Sequence, residues 1–191
     1  MKETNSAEET KVFGFWVYLM TDLIIFSVLF ATFAVLQNST FGGPSGRELF
    51  SLPFALAETL ILLTSSFTCA LATFAISQKQ KKGALLWFLI TFALGLSFLV
   101  LEFSEFAHFA SRGATPQRSG FLSAYFTLVG THGLHISVGL LWMFVMMLRI
   151  GKARFEPPLV SQLLRLALFW HFLDIVWVFI FTAVYASGHL L

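Results

Sequence analysis

Charge is scarce in this sequence. Only 12% of its 191 residues are Asp, Glu, Lys or Arg, about half the fraction of a water-soluble domain. An ordinary water-facing surface is therefore excluded, and a formal net charge of +2 is too small for a nucleic-acid footprint. There is a single cysteine, Cys69, in the middle of an apolar stretch. It can form no internal disulfide, and it reads as a buried thiol packing like a small hydrophobe. Cys-x-x-Cys, zinc spacing, a phosphate-binding glycine loop and a Ser-His-Asp arrangement are all absent. The five prolines lie in connectors or, for Pro53, in a helix's first turn, where the missing N–H does no harm. No repeat is visible, and no stretch is long enough for a separate soluble domain. A cleavable signal is not expected either. The charged residues 1–11 lead into an apolar run of about 25 residues, too long for a signal-peptide core and followed by no small-residue cleavage site.

What is abundant is apolar. The hydrophobic share is 57% and the mean hydropathy +0.81, so hydrocarbon is the implied solvent. Five runs approach or exceed the length needed to cross a bilayer: Val12–Leu36, Leu52–Ser77, Ala84–Phe109, Phe121–Arg149 and Gln162–Ala186. The fold expected is all-α, an integral membrane bundle of five transmembrane helices in one domain over residues 1–191. Breakers fill the connectors Asn38–Ser51, Gln78–Gly83, Ser111–Gly120 and Gly151–Ser161. Lys2, Lys11, Lys79, Lys81, Lys82, Arg149, Lys152, Arg154 and Arg165 fall on one side, nine in all, against three on the other, Arg47, Arg112 and Arg118. That bias predicts a cytoplasmic N-terminus and a periplasmic C-terminal tail, Ser187–Leu191.

Polar residues interrupt the apolar runs, and their surroundings decide what the chain does. They are Asp22, Glu58, Glu102 and Glu105, then His132 and His135, then His171 and Asp174. No Lys or Arg lies deep in a span to neutralise the carboxylates. Each acid is therefore protonated, bonded to a histidine or hydroxyl, or wetted. Asp22 lies near mid-membrane. Glu58, Glu102 and Arg149 lie nearer span ends, where snorkelling toward water is expected. Glu105 and His108 are expected to be half-solvated at the external end. His132 and His135 share one helix face, and three readings stay open for them: interhelical hydrogen-bond glue, haem or metal ligation with His171 as partner, or a proton-linked role. His171 and Asp174 read as a polar clasp. Gly130, Gly133 and Gly139 leave room for close approach of another helix. Phe26, Phe30 and Phe33 follow helical spacing, as lipid-facing or packing residues do. Trp16, Trp87, Trp142 and Trp170 suit interfacial anchoring, and Trp177 looks interior.

Several of these blocks also carry a family resemblance. Residues 13–22 (FGFWVYLMTD), 104–106 (SEF), 119–135 (SGFLSAYFTLVGTHGLH) and 169–177 (FWHFLDIVW) resemble subunit III of haem-copper terminal oxidases. The resemblance runs from about Val12 to the C-terminus. Cytochrome c oxidase members usually have seven spans, so five is similar to the branch of the bacterial cytochrome o (bo-type) ubiquinol oxidases. The resemblance implies a non-redox subunit of an inner-membrane ubiquinol oxidase in the aerobic respiratory chain. It implies no cofactor in this chain, with haems and copper in a partner subunit I that reduces oxygen to water and pumps protons. The implied partners are subunits I, II and IV and phospholipids, and the implied role is assembly, lipid binding and sustained proton uptake. The family's first-span carboxylate falls on Asp22 and its third-span carboxylate on Glu105. Its paired histidines fall on His132 and His135, and its fifth-span pair on His171 and Asp174. Many relatives carry Glu where Asp22 stands. From the residues alone, a proton-coupled transporter and a haem-binding membrane cytochrome stay open as alternatives.

Overall fold

The structure, a computed structural model, describes the backbone of residues 2–152 and 157–190 and the side chains of 10–151 and 158–188. Arg154, Leu191 and the side chains of Lys2 and Lys152, all used in the charge and tail readings, lie outside the described residues. The helices are α1 (Lys2–Leu36), α2 (Gly46–Leu49), α3 (Leu52–Ser77), α4 (Lys81–Ser111), α5 (Gly120–Lys152), α6 (Pro157–Ile180) and α7 (Ser187–Leu190). A π-helical turn, Phe181–Ala186, joins the last two. Among the described residues, five stretches are long and apolar enough to cross a membrane: Thr10–Leu36, Leu52–Ser77, Lys81–Ser111, Gly120–Gly151 and Pro158–Ala186. They match the expected spans to within about a turn at each end.

Local chemistry sets the ends. Pro53 occupies the first turn of α3, and Ser119 caps α5, its hydroxyl accepting from the Leu122 N–H at 3.1 Å. α3 and α4 are joined by a turn in which Lys79 adopts φ 56°, and α4 stops where Gly113 takes φ 73°.

The helices pack as a closed group. α3 and α4 form an antiparallel pair, α5 packs on α4, α6 lies against α3 and α5, and α1 leans on α5 and α6. The buried stripes have heptad-like spacing. On α4 the stripe is Ala84, Phe88, Thr91, Gly95, Phe98, Glu102, Glu105 and Phe109, alternating steps of four and three. On α1 the buried residues Leu19, Asp22, Phe26 and Phe33 form one narrow stripe. Phe26 and Phe33 are thus packing residues, with Phe30 partly buried beside them, while Phe13, Trp16, Ile24 and Val28 are among the large apolar side chains that α1 turns outward.

Trp170 joins four helices. Its indole from α6 lies against Gly95 of α4 and Gly139 of α5, where an added Cβ would stand 2.7 and 3.1 Å from the ring. Its Nε1–H donates to Ser65 Oγ of α3 at 2.8 Å. Trp170 is therefore a core residue, not the interfacial anchor expected from its position; both glycines exist to admit it. Gly133 also admits a neighbour, the Glu102 carboxyl, whereas Gly130 has no such contact and faces open space.

Candidate functional site

The heptad-like stripes carry acids into the centre of the bundle. Glu58 of α3 is 0% exposed, and Glu102 and Glu105 of α4 are 2% and 6% exposed. Glu58 lies within electrostatic reach of both others. The expected snorkelling of Glu58 and Glu102 does not occur. Both are close to span ends in sequence, but each sits on the inward stripe of its helix and points at neighbouring helices. Arg149, by contrast, is exposed and its guanidinium donates to Gln162. Glu105 is buried rather than half-solvated, while His108, three residues on, is exposed.

Glu105 is held by two phenols. Tyr125 of α5 and Tyr185 of the π turn both donate to Oε2, at 2.8 and 2.6 Å. The two hydroxyls are 2.9 Å apart. The π turn advances the backbone locally and delivers Tyr185 to this point, in keeping with the association of such turns with functional sites. Glu58 and Glu102 have no comparable donor: among the described residues neither oxygen of either acid has a hydrogen-bond partner.

The two histidines of α5 have separate environments. His135 Nδ1 lies 2.7 Å from the Thr131 carbonyl, which can only accept, so Nδ1 carries a hydrogen. Its Nε2 faces Asp22 Oδ2 at 3.8 Å, a contact between α5 and α1. His132 is wholly buried, and among the described residues neither ring nitrogen has a partner. It is packed by its ring, 5.2 Å from Trp177, 5.9 Å from Phe98 and 6.4 Å from Phe26. The hydrogen bond of His135 lies within α5, so among the described residues neither histidine makes an interhelical hydrogen bond.

His171 reaches a neighbouring helix: Ser66 Oγ of α3 lies 2.7 Å from its Nδ1. Asp174, three residues on, is buried, and among the described residues its Oδ1 has no hydrogen-bond partner. The neighbours of Ser66 extend the pattern: Trp177 donates to Thr59 at 3.1 Å and Trp170 to Ser65 at 2.8 Å, while Thr68 pairs with Thr91 of α4 at 2.8 Å. α3 thus meets α6 along a row of hydroxyls. The sequence reading missed Ser65, Ser66, Tyr125 and Tyr185. Exposed Ser and Thr elsewhere bond back to carbonyls of their own helix, as Thr21 and Ser27 do, so nothing in one dimension marks the bridging ones. The heptad register would have marked the acids as inward.

Among the described residues, no three His, Cys, Asp or Glu side chains gather where they could hold a metal ion. The arrangement instead offers buried proton-holding groups on adjacent helices: Asp22 with His135 at one point, and Glu58, Glu102 and Glu105 with two tyrosines at another.

Residues 2–189 match the family described as cytochrome c oxidase subunit III. The chain is 51% identical to cytochrome bo(3) ubiquinol oxidase subunit 3 of Pseudomonas putida, over 93% of this chain and 86% of that one. It is 46% identical to the protein of the same name from Buchnera aphidicola, over 93% and 92%. To quinol oxidase subunit 3 of Bacillus spizizenii it is 40% identical, over 98% and 92%. With a family match of this length, relatives this similar and five helices of membrane-crossing length, the chain belongs to the cytochrome c oxidase subunit III family.

Proposed function

We propose that this chain is the non-redox subunit III of a proton-pumping haem-copper quinol oxidase, which reduces oxygen to water with ubiquinol in the aerobic respiratory chain. The observation that carries the reading is its 51% identity, over 93% of its length, to a ubiquinol oxidase subunit 3. In this reading the haems and copper belong to subunit I, which supplies the electron transfer and the oxygen chemistry. This chain packs as one transmembrane domain beside subunits I, II and IV and phospholipids in the bacterial inner membrane. Its N-terminus is cytoplasmic and its C-terminus periplasmic, as the basic residues favour. It supports assembly and keeps proton uptake by subunit I working through turnover.

Asp22, Glu105, Glu58 and Glu102 are the proton- or lipid-linked groups, and His135, His171 and Asp174 are the clasps. The Asp22–His135 geometry supports a proton role for the first. With Nδ1–H committed to Thr131, a neutral His135 turns a bare Nε2 toward Asp22. The two groups face one another at 3.8 Å, close enough for each to feel the other's charge.

Purification of the tagged chain in mild detergent tests the assignment. A larger haem-bearing partner is expected with it, and the chain stripped of partners is expected to have no Soret band. Recovery without any haem protein, or haem bound one-to-one and lost in His132→Ala, refutes the reading.

A further inference from the structure

A cavity of about 970 Å³ opens at the α2 end of the bundle, between the start of α3 and the last turns of α4. Glu48, Phe54, Ser104, His108 and Arg112 line it, and so does Glu105. Glu105 is thus the point where the cavity meets the bundle interior. Behind it lie Glu58 and Glu102, whose four oxygens lack any partner among the described residues. The same interior holds His132, wholly buried with both nitrogens unpartnered. His132 is linked to the acids through Trp177, 5.2 Å from its ring, whose indole lies 6.1 Å from Tyr185.

A carboxyl without a donor in such surroundings is held as the neutral acid. Its own O–H then needs an acceptor, and water is the small molecule that supplies both donor and acceptor. The charged and titratable groups facing the acids are Tyr125 from α5, Tyr185 from the π turn, and Glu48, His108 and Arg112 at the cavity itself. None of these pairs with Glu58 or Glu102.

We propose that Glu58 and Glu102 are protonated acids joined by internal water, and that their protons exchange with solution at the α2 end through Glu105. Hydronium in the cavity gives its proton to the Glu105 carboxylate. Glu105 passes a proton over water to whichever neighbour has released its own, and the reverse steps return it. No other reactant is consumed. Between transfers the two phenols hold Oε2 of Glu105 in place. The inference rests on reading these acids as proton-linked. Its readout is a vibrational band rather than oxygen uptake, so it and the oxidase assignment can fail separately.

The test is infrared spectroscopy of the intact complex containing the full chain, in H₂O and after transfer to D₂O. Part of the carboxylic C=O band is expected to vanish in Glu58→Gln and in Glu102→Gln. If one variant does not assemble, the other carries this arm. The parent band should shift on transfer to D₂O, and Ser104→Trp, which fills the cavity mouth, should leave it unshifted over the same interval. Should neither glutamine variant assemble, this second arm decides alone. A carboxylic band unchanged in both glutamine variants overturns the proposal, as does deuteration equally fast in Ser104→Trp and the parent.

Discussion

A carboxylate at mid-membrane is the most costly single residue here. An uncompensated charge at the bilayer centre costs roughly 2.5–3.5 kcal/mol on insertion scales. Asp22 is nevertheless buried on the α1 stripe and lies 3.8 Å from His135. Asp22→Asn keeps the shape and removes the carboxyl that can titrate. If the pair is linked to proton supply, the variant complex should assemble normally and lose oxygen-uptake activity faster than the parent during sustained turnover. A parental time course at every pH tested would leave Asp22 with a packing role only. Asp22 was legible as a polar residue inside an apolar run. Position along the span misled for Glu58 and Glu102, because depth in sequence says nothing about which way a side chain turns.

Facing is a property of whole elements. The steps of four and three on α4 run through Phe88, Thr91, Gly95, Phe98, Glu102 and Glu105 alike, so the inward register was legible in the sequence even where the residue was acidic. Span boundaries and connectors were legible too, since hydropathy and breakers fix them. The π turn was not, because nothing in Phe181–Ala186 departs from ordinary helix-forming apolar residues; nor were the hydroxyl partners of α6, which depend on pairing between helices. Gly95 gives the sharpest test at this scale. A Cβ there would stand 2.7 Å from the Trp170 ring, a rigid neighbour that is itself fully packed. Gly95→Ala should destabilise the bundle by about 1–3 kcal/mol through overpacking. The check is a lower thermal midpoint of the purified complex, with Gly130→Ala, at open space, as the matched control. Equal midpoints would mean that α6 shifts freely and that Trp170 is no wedge.

For the molecule as a whole, orientation follows from the basic residues rather than from packing. With Cys69→Ala as background, single cysteines at Ser45 and Gln80 sit in connectors at opposite ends of α3. An impermeant thiol reagent applied to intact cells should label Ser45→Cys and spare Gln80→Cys, and the reverse pattern would invert the topology. The wedge at Trp170 has a consequence for how the molecule is made. α6 is the fifth span to leave the ribosome, yet the hydroxyls it satisfies, Thr59, Ser65 and Ser66, belong to the second. During synthesis α3 waits in the membrane with these groups unmatched by their final partners. The slot formed by Gly95 and Gly139 stays unfilled for as long. Nascent chains interrupted before residue 170 should therefore resemble one another to the cell's membrane proteases, however many spans they have inserted, and completion of the fifth span is the event that protects the other four.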